Sequence, residues 1–261
     1  MSALEKYEQD DELYGDLEAL GGRMGFLDHL EELRRRLIIS LVATCVGFCV
    51  SLAFSDRIFA FVMTPLREAL PPGGHLIYTD GAEMFVASLQ ISFMAGVMIA
   101  APVIMLQAWM FIAPGLYVHE KRLAIPFVLS ATLCFLGGAA FSHYVSFPAA
   151  SRFFASFANG FVEFQPRVSS ALSLYMRMML ACALAFQLPT LTMFLARMRI
   201  VTARWMLRHI KYAVLGVFII AAIVTPDGSP VSQVTLALPM LGLYVISIGI
   251  AWVFAPRRAL E

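Results

Sequence analysis

Charge is what this sequence has least of. Asp, Glu, Lys and Arg make up only 14% of its 261 residues, against about 25% in a soluble globular domain. A water-facing globule could not be coated from such a supply. The net charge of +1 lacks the basic excess of a nucleic-acid binder, so no nucleic-acid partner is expected. Cysteine is scarce too. Cys45, Cys49, Cys134 and Cys182 all fall inside apolar runs, and no His, Asp or Glu stands at ligand spacing beside them. They read as small apolar residues, with neither a disulfide framework nor a metal site. Residues 1–20 lack a basic n-region, carrying Glu5, Glu8, Asp10, Asp11, Glu12, Asp16 and Glu18 against Lys6 alone. No cleavable signal peptide is therefore expected. HExxH, GxSxG and paired intramembrane Asp are missing, and His143 has no nucleophile partner. Neither an enzyme nor a cofactor is expected.

What the chain does have is apolar length, at 60% hydrophobic residues. A helix needs about 20 apolar residues to cross the hydrocarbon core. Leu37–Phe54, Met84–Leu106, Leu123–Phe147 and Ala171–Ala196 meet that length. The third contains Gly137-Gly138, a pair that permits close helix approach. The fourth is interrupted by Arg177, Gln187 and Pro189. Two shorter segments follow, Tyr212–Val224 and Val234–Phe254. The fifth covers roughly 20 Å of a core that is roughly 30 Å thick, so a shallow span with local thinning is expected. The fold class is thus an all-α polytopic membrane protein of six spans, the last two short.

Lys and Arg set the orientation. With six spans, the N-terminus, the 107–122 loop, the 197–211 loop and the C-terminus share one side and hold 14 basic residues. The opposite loops hold four: Arg57, Arg67, Arg152 and Arg167. Both termini are therefore expected in the cytoplasm. The domain reading is an acidic, disordered tail over 1–23, a membrane domain over 24–254 and a C-terminal tail over 255–261. The first external loop, about 55–83, carries Pro65, Pro71-Pro72 and Gly73-Gly74, the chemistry of ordered turns. It and the loop at 148–170 are long enough to form a cap.

Two stretches carry candidate chemistry. The first is Phe26-Leu-Asp-His-Leu-Glu-Glu-Leu-Arg-Arg-Arg-Leu37. At about 100° per residue, Phe26, Leu30, Leu33 and Leu37 form one stripe. His29, Glu32 and Arg36 line its flank, while Glu31 and Arg35 point the other way. Glu32 and Arg36 also form an i,i+4 pair. These charges are either solvated on an interfacial helix, or they place Glu32 beside an apolar groove to receive a cation. The second stretch runs from Gln107 to Arg122, with a Pro114-Gly115 turn, Trp109, Phe111 and Tyr117, and one acidic residue, Glu120. Alone, Glu120 reads as a balance for Lys121 and Arg122. Gln187 lies deep in the fourth span, where a polar group marks either a functional site or an interhelical hydrogen bond. A solute transporter would need several midplane ionisable groups, and the spans offer only Gln90, Arg177 and Gln187.

Together the stretches resemble one family. F-L-x-H-L-x-E-L-R-x-R-L, then Thr64-Pro65-Leu66, then Q-x-W-x-F-I-x-P-G-L-Y-x-x-E-K are similar to TatC, the signal-peptide receptor subunit of the twin-arginine protein translocase. The resemblance runs from about Met24 to Phe254. It implies that Glu32 and Glu120 meet the paired arginines of a signal peptide, with Arg34, Arg36 and Phe111 on the same recognition surface. It places Pro65 in the external cap and Pro114 in the motif of the cytoplasmic loop, both as partner-binding or structural residues, and makes Gln187 a contact for single-helix partners. Implied partners are twin-arginine signal peptides of folded precursors, TatA, TatB, membrane lipid and further copies of the chain. The implied setting is the inner membrane, with the proton-motive force as the energy source. Gln187 stands where the family has Glu or Gln and cannot titrate. In the last external turn, Ser229 stands where the family usually has Asp, and Asp227 lies two residues earlier.

Overall fold

The computed structural model describes residues 26–71, 73–112, 124–159, 161–198, 200–225 and 230–254. The tails at 1–23 and 255–261, together with Pro114, Glu120 and Asp227, lie outside them. The described chain is almost wholly helical. Helix α1 is Phe26–Leu52, α2 Ser55–Ala69 and α3 Glu83–Ile112. Helix α4, Ala124–Phe141, passes through a π turn at Ser142–Ser146 into α5, Phe147–Ala155. Helix α6, Val168–Ala185, is followed by α7, Gln187–Arg197. The short α8, Ala203–Arg208, leads to α9, Ile210–Val224, and then to α10, Pro230–Phe254.

Among the described residues, five helical stretches are long and apolar enough to cross a bilayer: His29–Leu52, Glu83–Phe111, Ile125–Ala155, Val168–Arg197 and Gln233–Val253. Ile210–Val224 is a shorter apolar helix, as its sequence predicts. Their outward faces are apolar, with Leu41, Val46, Ile125, Leu133 and Ile223 all exposed. That is the surface of a protein whose solvent is lipid. Several hydroxyls within the helices bond backward to carbonyls one turn earlier. Thr44 donates to Ser40 O at 2.8 Å and Ser92 to Ser88 O at 2.7 Å, which satisfies them where no water is available.

Three expectations are corrected. The 55–70 stretch is the helix α2, not a set of turns. Val62, Met63, Pro65 and Leu66 are buried on one face, while Arg57, Arg67 and Glu68 lie outside. Burial of that face against Ile91, Phe147 and Leu172 outweighs the cost of Pro65 inside the helix. The third span does not stop at Phe147. The π turn widens the helix just before Pro148, and the Phe147 N–H returns to Ser142 O, so the chain accommodates the proline and runs on to Ala155. The sixth helix is not short. Pro230 opens it at N1, where a missing N–H costs nothing, and it extends for 25 residues.

Helix α1 lies along α3, α4 packs on α3 and α6, and α7 packs on α10. Two backbone contacts set these distances. A Cβ on Gly96 would stand 2.5 Å from Phe48 N, and one on Gly138 would stand 2.6 Å from Cys182 O. Gly137, its neighbour in the pair, would meet only the Phe186 ring at 3.9 Å. Gly138→Ala is therefore expected to lower the melting temperature in detergent. Gly137→Ala, which gains up to about 1 kcal/mol of helix propensity, is expected to leave it unchanged or raise it. Thermal unfolding of the two variants side by side checks this. The break between α6 and α7 falls at Phe186, just before Gln187-Leu-Pro189, because Pro189 gives up one helical hydrogen bond and its ring crowds the preceding turn.

The ends of the helices collect on two faces. Trp109, near the end of α3, packs on Phe127 at 4.0 Å and on Phe194 at 5.1 Å, joining the start of α4 to α7. The Tyr244 hydroxyl donates to Met206 O at 3.0 Å, and Ala196, Met206 and Ala251 share a small core. This face carries Arg34, Arg35, Arg36, Arg204, Arg208 and Lys211 and is the basic face. The opposite face carries α2, α5 and a two-strand contact in which the Ile77 N–H donates to Pro166 O and the Val168 N–H to Ile77 O.

Candidate functional site

The site on the basic face is built from the first turns of α1 and the last turns of α3, which run antiparallel. His29, Glu32 and Arg36 are spaced at three and four residues and occupy the α1 flank that faces α3. The Arg36 guanidinium donates to Glu32 Oε1 at 2.8 Å. It also donates to Gln107 Oε1 at 3.3 Å and approaches Met110 Sδ at 3.1 Å. The His29 ring stacks on Phe111, with centroids 4.6 Å apart. Gln107 is buried, so the α3 side of the pair is fixed by packing. Glu32 and Arg36 keep side-chain exposures of 20% and 24%. The carboxylate is thus ordered yet reachable, and a guanidinium already sits against it.

The structure brings Glu32, Arg36 and Phe111 together. It leaves Arg34 exposed beside them, one helical step away from α3. Glu120 and Pro114 are outside the described residues. Pro65 is far from this group, buried in α2 on the opposite face. Gln187 also lies apart, and its Nε2 donates to Ala131 O at 2.9 Å, which is the interhelical hydrogen bond that the sequence left open as one of two readings. The leucine stripe of α1 is not the packed side: Leu30, Leu33 and Leu37 are exposed. In lipid an apolar stripe can face outward at no cost, while polar groups turn toward protein. The expected apolar groove beside Glu32 is accordingly replaced by a mixed wall of Gln107, Met110 and Phe111.

Sequence reasoning did not single out Gln107 and Met110 as partners of Arg36. Their i,i+3,i+4 relation to Phe111 was the available signal. It also missed Glu83, at the start of α3 on the opposite face. The Glu83 side chain is 3% exposed and pairs with Arg167 at 3.1 Å. It accepts from Thr79 N at 2.9 Å and Ser169 N at 2.8 Å, so one carboxylate ties both external loops to α3. Among the described residues no cluster of His, Cys, Asp and Glu has the form of a metal site.

The comparisons with known proteins agree with this architecture. The model of the family described as Sec-independent protein translocase protein (TatC) matches residues 28–239. The chain is 39% identical over 246 residues to the Sec-independent protein translocase protein TatC of Koribacter versatilis (strain Ellin345), covering 92% of this chain and 89% of that one. It is 36% identical over 222 residues to the protein of the same description from Escherichia coli (strain K12), covering 85% and 86% of the two chains. A crystal structure described as the twin arginine translocase receptor TatC superposes with a TM-score of 0.77 at 33% identity, over 85% of this chain and 97% of that one. Similarity that spans most of the chain, together with the lipid-facing helices, leads to one assignment: the chain belongs to the TatC family and is a membrane component of the Sec-independent protein translocase.

Proposed function

We propose that this chain is the receptor subunit of the translocase, binding twin-arginine signal peptides on its basic face. The observation that carries the reading is the Glu32 carboxylate, in contact at 2.8 Å with a guanidinium that itself rests on α3 through Gln107 and Met110. Carboxylates bind guanidinium groups in bidentate, charge-assisted fashion. Arg36 therefore occupies, within the chain, the position that one signal arginine would take. The second arginine requires a second carboxylate, and Glu120 is the acidic residue of the adjoining loop. Arg34, Arg36 and Phe111 border the peptide, and Pro114 turns the loop that carries Glu120.

The rest of the reading follows from charge and from span lengths. Six passes, α9 included, place the basic face and both termini in the cytoplasm of a bacterial inner membrane. TatA and TatB meet the bundle near the α6–α7 break, where Gln187 uses Nε2 internally and presents Oε1 to a partner helix. Pro65 keeps a structural role in the external cap. Assembly with these subunits and with further copies of the chain forms the translocon, and the proton-motive force drives passage. No covalent bond is made or broken.

Crosslinking tests the recognition step. A twin-arginine precursor bearing a photoreactive residue beside its arginines is expected to label the wild-type chain in membranes. It should label Glu32→Ala weakly, by roughly tenfold or more for one lost charge-assisted pair, and Glu32→Ala/Glu120→Ala not at all. Equal labelling of the double variant, still dependent on the paired arginines, would overturn the reading.

A further inference from the structure

Among the described residues, Arg177 is the one Lys or Arg that lies within an apolar span rather than near its end, nine residues into α6. It is exposed, and no hydrogen bond, ion pair or ring contact holds it among the described residues. At 1.5 Å per residue it stands about 14 Å below Val168, where α6 begins. An unpaired guanidinium at that depth is costly unless an anion or water reaches it. Two openings meet there. Above Arg177, toward the end of α6 opposite the basic face, is a polar recess lined by Ser169, Ser170 and Ser173. Below it is an apolar groove of about 590 Å³, walled by Leu180, Leu184 and Leu188 on one side and by Ile220 and Ile223 of α9 on the other.

The short α9 explains why an anion from the membrane surface reaches this depth. Its 15 residues span about 22 Å, roughly 8 Å less than the hydrocarbon core. Val224, the last residue of α9, lines the same groove as Arg177. The outer end of α9 and the guanidinium therefore open onto one groove, and a bilayer that thins to match α9 brings its headgroups toward it. From Arg177 to Leu188 the groove follows eleven residues, about 16 Å along α6 and the start of α7. Apart from Arg177 at its outer end, every residue that lines it is apolar. A single cation at the mouth of an apolar groove is the pattern that an anionic headgroup with its hydrocarbon chain complements.

We propose that this groove is a binding site for an anionic phospholipid of the leaflet opposite the basic face. Arg177 binds the phosphate with its paired N–H donors, the serine recess holds the polar headgroup, and an acyl chain lies along Leu180, Leu184 and Leu188. The site is independent of signal recognition at Glu32, which lies on the other face.

Native mass spectrometry of the full chain in detergent tests the proposal, with phosphatidylglycerol and phosphatidylcholine of matched acyl chains as probes. The wild type is expected to retain one phosphatidylglycerol in preference to phosphatidylcholine, by roughly tenfold for one charge-assisted pair. Arg177→Gln should lose the preference, and Arg177→Lys should keep part of it. Leu184→Trp, which fills the groove and leaves the charge in place, should lower retention of both lipids. Leu184 and Arg177 are both exposed, so unfolding temperatures without added lipid should match the wild type. Unchanged retention in Arg177→Gln overturns the site. A loss in Arg177→Gln with none in Leu184→Trp also overturns it, because that is an effect of surface charge alone. Displacement of bound phosphatidylglycerol from the wild type by a carboxylate-bearing transmembrane peptide, with no lipid preference in its absence, would assign the groove to a partner helix instead.

Discussion

Gly96→Leu is expected to abolish both the stable fold and precursor labelling at Glu32. Residue 96 sits where α3 crosses α1 backbone to backbone. Its added Cβ would lie 2.5 Å from Phe48 N and 2.8 Å from Phe48 Cα, and Gly47 opposes it with an equally tight approach, 2.7 Å from Gly96 O. Main-chain atoms cannot rotate aside as a side chain can, so the helices must separate. Overpacking of a filled interior typically costs about 1–3 kcal/mol. The figure for Gly96→Leu belongs at or above the top of that range, because four carbons have to be housed. The functional consequence follows from the same axis. Arg36 is three turns from Gly47 along α1, and its contacts with Gln107 and Met110 exist only while α1 lies against α3. Gly96→Ala should show the same effects in weaker form. Thermal unfolding in detergent and photocrosslinking of a twin-arginine precursor measure the two losses. Gly137→Ala serves as the control for glycine replacement in a helix that has room. A Gly96→Leu chain that melts like the wild type would mean that the α1–α3 crossing is not held by this contact.

How much of this was legible beforehand varied with the kind of signal. Long apolar runs located the four long spans and the short α9, because bilayer thickness sets their length. The asymmetry of Lys and Arg separated the two faces. Gln187-Leu-Pro189 marked the α6–α7 break one residue from where it falls. Helix α2 was misread because prolines and glycines were weighed above periodicity. Ile58, Phe59, Val62, Met63 and Leu66 recur at three- and four-residue spacing and define an amphipathic helix that covers the bundle. The third span was likewise ended early, at Phe147, when the π turn before Pro148 lets the helix continue.

The candidate site was legible only on one side. Helical spacing put His29, Glu32 and Arg36 on a common flank, and the structure turns that flank toward α3. Nothing local named what they would meet, because Gln107 lies 71 residues from Arg36 and the pairing depends on which helices are neighbours. The leucine stripe misled for a different reason. In water it would be the buried side, whereas in lipid the polar flank is the one that seeks protein. Glu83 was invisible on both counts, since its partners are backbone N–H groups of two loops that come together only in the fold.

That hidden carboxylate supports the second large effect. Glu83→Ala is expected to release both external loops, whereas Arg167→Ala should have little consequence. The asymmetry comes from where each partner lies. Arg167 is 45% exposed on its side chain, and when it is removed the Glu83 carboxylate keeps the Thr79 and Ser169 N–H donors at 2.9 and 2.8 Å, so the charge is left hydrogen-bonded. The Thr79 and Ser169 N–H groups instead point at a carboxylate that is 3% exposed. Without it they lose their acceptors at a site that water reaches poorly, and a buried donor left unpaired costs its full desolvation. The Ile77–Arg167 bridge, whose two backbone hydrogen bonds are 3.2 and 2.9 Å long, then loses its anchor to α3. Limited proteolysis reads this directly. Glu83→Ala should expose cleavage sites in the 73–82 and 156–167 segments and lower the unfolding temperature. Glu83→Gln should fall between it and the wild type, since it keeps one carbonyl acceptor. Glu68→Ala, on the exposed side of α2, should match the wild type. If Arg167→Ala instead proved as damaging as Glu83→Ala, the charge pair rather than the backbone hydrogen bonds would be what holds the cap closed.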